Sequence, residues 1–239
     1  MKAAGDELWS RERFQAELRT VGRERYHDRH PFHRQMNEGR LLPAQLRGWV
    51  ANRFYYQCCI PVKDAAILSN CPIRAVRRVW LQRVIDHDGR QEGEGGLEGW
   101  LRLAEAVGLA RAETLDGRGL LPGVRFAADA YVQFARTRPW PVAVASSLTE
   151  MFAPDLMGER LAAFEKYYAW VPSSGLDYFR ARLSQARRDA EHALEVTLTY
   201  CSTAELQREA VAALAFKCDV LWAMLDAMQW AYRPEGVTM

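Results

Sequence analysis

Excess charge of either sign is missing from this chain: 32 basic and 30 acidic residues leave a net charge near +2 over 239 residues. No polybasic arm is present, so nucleic acid is a poor first partner to consider. A long uninterrupted apolar run is also missing. The best candidate, residues 210–232, is broken by Lys217, Asp219 and Asp226, which reads as a buried helix and not a membrane span. Residues 1–14 hold no apolar stretch of the secretory kind. Cysteine is sparse and odd in number, and Cys58, Cys59, Cys71, Cys201 and Cys218 form no Cys-x-x-Cys pair. That pattern reads as buried thiols of a reduced cytosolic protein, not as a disulfide framework or a zinc site. The glycines of GRQEGEGG, residues 89–96, follow no strand and make no Gly-x-Gly-x-x-Gly, so no nucleotide loop is expected. No serine or cysteine stands in a nucleophile motif. Strand signals are nearly absent.

What is there is an apolar content of 49% with helical periodicity throughout. The pattern predicts helices over about 6–20, 31–38, 43–69, 72–87, 96–108, 122–137, 141–152, 157–170, 175–201 and 203–232. Pro31, Pro43, Pro72, Pro122 and Pro141 suit first-turn positions. Pro61 lies inside the third segment and is expected to kink or split it. With no repeat, low-complexity tract or linker, residues 1–239 read as one compact all-α domain.

Several of these helices carry polar groups on faces that should be buried. In GWVANRFYYQCCIPV, residues 48–62, Arg53 is the only charge, and Gln57 lies one turn on. A buried guanidinium needs an anion, either an internal carboxylate or a bound one. In residues 72–89, Val76, Trp80, Arg83 and His87 share one stripe, which is either a satisfied core or a base beside an anion site. In residues 176–196, Tyr178, Arg182, Gln185, Asp189 and His192 fall on one line, while Arg180, Ser184, Arg187, Arg188 and Glu191 lie nearly opposite. Lys217 sits among apolar neighbours. Together these helices suggest one cavity rich in Arg, Lys, Tyr and His, suited to a small planar ligand with several carboxylates.

RYHDRHPFHR, residues 25–34, holds three of the five histidines. Pro31 breaks any single helix through His27, His30 and His33. His30 then reads as a helix cap, Tyr26 and His27 as pocket-edge residues, and the rest as serving the bend. Asp189-x-x-His192 and Glu24-x-x-His27 resemble the carboxylate-x-x-His element of helical di-iron proteins, with Glu150 and His87 as further candidates, an incomplete ligand set.

Across residues 25–232, YHDRHPFHRQMNEGRL, GWVANRFYYQCCIPVKDAAILSNCP, RVIDHDG, LPGVRFAADAYVQFAR, SSLTEMFAP, YFRARLSQARRDAEHAL and FKCDVLWAMLDAM resemble the pyrroloquinoline-quinone (PQQ) synthase family of the haem-oxygenase-like, TENA/THI-4 superfamily. The resemblance implies a haem-oxygenase-like helical bundle, a homodimer and a cytoplasmic enzyme. It implies an oxidoreductase that closes a ring and removes eight electrons from a tricarboxylate quinoline precursor, with dioxygen as co-substrate and hydrogen peroxide formed. It implies no metal, no redox cofactor, and no nucleic acid or membrane partner. Carried over by motif, the substrate-binding residues are Tyr26, His27, Arg53, Gln57, Arg83, Tyr131, Thr149, Arg160 and Lys217. The catalytic residues are His87 as general base or acid, with Tyr178 and Arg182 at the oxygen site. The family histidine of that oxygen site is Met157 here, which puts the dioxygen steps in question. Related di-iron oxidases have a histidine where this chain has Gln185. Family members usually run on further past Tyr232, which would bear on a lid or dimer contact. Alternatives on the same fold are a PQQ-binding or delivery protein, a metal-dependent oxidase, and a thiaminase-II-like hydrolase, the last without a cysteine in a nucleophile context.

Overall fold

Helical periodicity becomes helical structure throughout residues 7–233, the part of the chain that the computed structural model describes. Among these residues there are eleven α-helices and no strand: α1 (Arg11–Arg25), α2 (Pro31–Asn37), α3 (Pro43–Asn70), α4 (Arg74–Asp88), α5 (Gly95–Ala106), α6 (Arg111–Leu115), α7 (Pro122–Thr137), α8 (Trp140–Ala145), α9 (Ala153–Tyr167), α10 (Asp177–Tyr200) and α11 (Ala204–Ala231).

Local chemistry sets the boundaries. The Ser10 side chain accepts from the backbone N–H of Arg13, so α1 starts and ends five residues later than the periodicity suggests. The start expected at residue 6 lies outside the described residues. Pro31, Pro43 and Pro122 open their helices and Pro141 sits in the first turn of α8. Pro72 does not open a helix, because α4 begins at Arg74. The expected helix 141–152 is two pieces, α8 and a 3₁₀ turn at Leu148–Met151. α6 had no periodic signal to announce its five residues. Pro61 does not split α3, which runs unbroken for 28 residues. Packing of α3 against α4, α5 and α7 holds the helix through the one missing hydrogen bond.

The turn between α4 and α5 depends on glycine. Gly89, Gly93 and Gly95 have φ of 81°, 82° and 86°, the left-handed region that other residues enter at a cost. A Cβ at Gly95 would lie 2.5 Å from the backbone nitrogen of Gly89.

α11 packs on α1, α7 and α8, and α10 on α8, α9 and the 148–151 turn. One core cluster gathers Trp49, Trp100, Phe164 and Phe179, with Trp49 and Trp100 centroids 5.3 Å apart. A second, around Phe14, Ile67, Trp80 and Leu214, closes the far end. The polar stripes of α3, α4 and α10 face one another between these clusters.

Gly22 of α1 is buried because Phe152 occupies the place of its side chain: a Cβ there would meet the ring at 1.8 Å. The Phe152 ring in turn packs 5.3 Å from that of Tyr26. Gly22→Ala is expected to destabilise by about 1–3 kcal/mol through overpacking and to disturb Tyr26. A thermal melt equal to that of wild type would show that Phe152 gives way freely.

Candidate active site

Arg53, Tyr56 and Gln57 project from neighbouring turns of α3, a spacing that puts them on one face. They meet His87 from the end of α4, Tyr178 and Arg182 from the first turns of α10, and Met157 from α9. Tyr26 and His27 come from the chain after α1, and Thr149 and Glu150 from the 3₁₀ turn. These residues line a tight cavity of about 60 Å³, smaller than the roughly 300–1,000 Å³ usual for a site holding a drug-sized ligand. Tyr178 and Arg182 also border a second hollow, walled by the 93–96 glycine turn and the start of α5.

The charged groups fall into two classes. Arg83 is held by carboxylates: its Nη2 donates to Glu150 at 2.7 Å, its Nε to Asp64 at 3.4 Å, and Nη1 lies 3.7 Å from Asp189. Arg182 is set likewise, 3.5 Å from Glu150 and 3.6 Å from Asp189, and its Nη1 donates to Gln185 at 3.3 Å. Behind them Lys63 donates to Asp64 at 2.6 Å and to Ser147 at 2.9 Å. Burial opposes ionisation of Glu150 and Asp64. Arg83 and Arg182 around the first, and Lys63 and Arg83 around the second, outweigh it and hold both carboxyls below the usual range. For Asp189, burial and then Glu150 win, and its carboxyl is pushed up.

Arg53, Arg160 and Lys217 form the other class. Among the described residues no carboxylate lies within salt-bridge distance of any of them, although all three are buried. Arg53 stacks 4.1 Å over the Tyr56 ring. Lys217 donates to the Tyr56 hydroxyl at 2.5 Å and sits 3.5 Å from the Tyr131 centroid. Arg160 donates to His33 at 3.0 Å and approaches the Met157 sulfur at 3.9 Å. Burial, then Arg53, brings Arg160 down to about 10. Burial, then Arg53 and Lys63, brings Lys217 well below the usual lysine range. Such cations favour an incoming anion strongly.

His87 has a fixed tautomer. Its Nδ1 lies 3.0 Å from the Arg83 carbonyl oxygen, which can only accept, so Nδ1 carries the proton. Nε2 is buried without a partner and presents a lone pair. Burial, then Arg182, pushes the imidazole down to about 4, so it stays neutral at pH 7. Opposite it, the Tyr178 hydroxyl donates to Gln57 at 3.0 Å.

Of the residues that the sequence singles out, Tyr26, His27, Arg53, Gln57, His87, Thr149, Met157, Tyr178 and Arg182 share the cavity wall. Arg83, Tyr131, Arg160 and Lys217 stand one layer behind it. His30 caps α2, its Nδ1 accepting from Phe32 N–H, while Nε2 meets Asp226. His33 does more than serve the bend: it is buried under Arg160, its ring 4.6 Å from that of His27. Glu24-x-x-His27 is not a paired element, since α1 ends at Arg25 with Glu24 exposed and His27 buried in the next turn. Glu150 and Asp189 face Arg83 and Arg182, and among the described residues no group of three His, Cys, Asp or Glu side chains converges as metal ligands. All five cysteines are free. Burial pushes the thiols of Cys58, Cys59, Cys201 and Cys218 up, to about 11 or 12, which suits inert core thiols.

Sequence reasoning missed Tyr56, the Lys63–Asp64 pair and the contact of His33 with Arg160. Lys63 and Asp64 are adjacent charges in an otherwise apolar stretch, a signal that burial alone makes visible. Tyr56 sits one turn from Arg53 and was hidden among aromatics.

A sequence model of the TENA/THI-4/PQQC family matches residues 15–227. A protein of Ectopseudomonas mendocina named pyrroloquinoline-quinone synthase is 57% identical over 222 residues, spanning 93% of this chain and 88% of its own. A protein of the same name from Cronobacter sakazakii is 54% identical over 225 residues, spanning 94% of this chain and 89% of its own. Among solved structures, a domain of unknown function with a heme oxygenase-like fold from Shewanella denitrificans superposes with a TM-score of 0.75 at 12% identity, covering 98% of this chain and all of that one.

Proposed function

Because the chain belongs to the TENA/THI-4/PQQC family, we propose that its cavity is the active site of a pyrroloquinoline-quinone synthase. In this reading the enzyme closes a ring in a tricarboxylate quinoline precursor and passes eight of its electrons to dioxygen, releasing PQQ. The observation that carries it is the trio Arg53, Arg160 and Lys217, buried around one cavity without carboxylate partners. Burying cations unpaired is costly, and a ligand bearing three carboxylates supplies the missing charges.

The chemistry follows from the groups on the wall. Arg53, Tyr26, His27, Gln57 and Thr149 hold the precursor from the wall, and Arg160 and Lys217 add positive charge from the layer behind. Arg83 and Tyr131 sit behind them and fix their places. His87 Nε2 takes a proton from the ring, which its neutral tautomer allows at pH 7. The deprotonated substrate is electron-rich and reduces dioxygen itself. Each dioxygen converted to hydrogen peroxide takes two electrons and two protons. Arg182 faces the developing negative charge, and Tyr178 supplies a hydroxyl proton beside it. The reading includes no metal or redox cofactor, a homodimer, and a place in the cytoplasm. No helix among the described residues is long and apolar enough to cross a membrane.

Metal-stripped protein incubated with the precursor without oxygen should give a new quinol-like absorbance, and PQQ by mass once air is admitted. No spectral change in either condition sinks the proposal. Met157 favours one second reading, a protein that binds PQQ but does not make it, because a thioether cannot shuttle a proton. Tight PQQ binding with an inert precursor would select it.

A further inference from the structure

Within one cavity the cations are held in two ways. Arg83 and Arg182 lean on Glu150, Asp64 and Asp189, carboxyl groups of the protein itself. Arg160 leans on an imidazole instead. A guanidinium has only donors, so the 3.0 Å contact between Arg160 Nη2 and His33 Nε2 makes Nε2 the acceptor. The ring proton must then sit on Nδ1, which is buried and has no partner. His33 is therefore neutral in this arrangement. Burial and then Arg160 favour the same state.

The placement is deliberate in chain terms. Pro31 and the His30 cap start α2 so that His33 falls in its first turn, facing α9. Trp49 and Phe179 pack beside the guanidinium, their ring centroids 5.0 and 5.9 Å from its carbon. A carboxylate at position 33 would satisfy Arg160 better, but it would take up the charge a ligand needs. A neutral acceptor fixes the geometry and leaves the full positive charge free.

We propose that His33 is a positioning residue, which aims Arg160 at the bound anion without neutralising it. The inference rests on the reading of the cavity as a polycarboxylate site, and it sets the affinity of that site.

The test compares His33→Gln, which keeps a neutral acceptor, with His33→Glu, similar in size but charged. PQQ is the probe, titrated against each purified full-length protein alongside a thermal melt. His33→Gln should stay within about threefold of wild-type affinity, while His33→Glu should weaken PQQ binding by at least about tenfold. The melting temperature of the glutamate variant should equal or exceed that of the glutamine variant, since the new ion pair supports the fold. A purely structural role would move affinity and melting together. Equal PQQ affinity for the two variants overturns the proposal. The ligand-free wild type provides a second measurement, by ¹⁵N NMR of histidine. His33 protonated on Nδ1 alone at pH 7 supports the assignment, and a proton on Nε2 overturns it. Wild-type protein that fails to bind PQQ refutes the reading of the cavity, and the NMR result still decides how His33 holds Arg160.

Discussion

Replacing Met157 by histidine should speed the dioxygen-dependent phase of turnover by roughly a hundredfold or more, the lower end of what a placed acid–base group contributes. Met157 lies on the cavity wall with Tyr178 and Arg182, and its sulfur is 3.9 Å from an Arg160 nitrogen. A thioether accepts weakly and carries no proton, whereas an imidazole can both give and receive one. The anaerobic phase should be unchanged, because His87, the proton acceptor proposed for it, lies on another helix. Stopped-flow mixing of the anaerobic complex with oxygenated buffer separates the two phases. A variant no faster than wild type in air would remove position 157 from the oxygen chemistry.

Asp64→Ala should cost about 3–5 kcal/mol of stability, the penalty for stranding buried charges. Asp64 is fully buried. Its Oδ1 accepts from Lys63 at 2.6 Å, from the Trp80 indole at 3.0 Å and from Arg83 at 3.4 Å. For a chain of this length that loss lowers the melting temperature by roughly 10 °C, and Arg83 loses the support that fixes it behind the cavity. Scanning calorimetry checks it, and a melt within about 3 °C of wild type would show the network to be dispensable. The pH dependence has a definite sign. The folded carboxyl lies below its ordinary value of 3.8, so its contribution is complete above that value and disappears as pH falls through the folded one.

Much of this site was legible from helical periodicity. The stripe Val76, Trp80, Arg83 and His87 is buried from end to end. On α10, Tyr178, Arg182 and Asp189 are buried and Gln185 and His192 half-buried, while Arg180, Ser184, Arg187, Arg188 and Glu191 face water. Periodicity reports which way a side chain points, and that was sufficient here. It does not report what the side chain meets. Arg53 and Arg83 look alike in sequence, each a lone charge on an apolar face, yet one is free and the other is engaged by three carboxylates from α3, α10 and the 148–151 turn. The same limit applies to Pro61, which does not split α3. Its local cost was read correctly, but the packing of α7 and α4 that holds α3 together is not a local property. His33 was hidden by the proline two residues before it, which marked the segment as a bend and drew attention from its inward face.

The unpartnered state of Lys217 links binding to the solvent. Its amine is kept reluctant to charge by its surroundings, and a carboxylate arriving nearby reverses that preference. A docking carboxylate therefore favours proton uptake at Lys217 over release. Affinity then falls as the medium becomes more alkaline, and the heat of binding contains the ionisation heat of whichever buffer gives up the proton. A pocket that looks like a fixed arrangement of positive charge is instead one whose charge is completed by its own ligand.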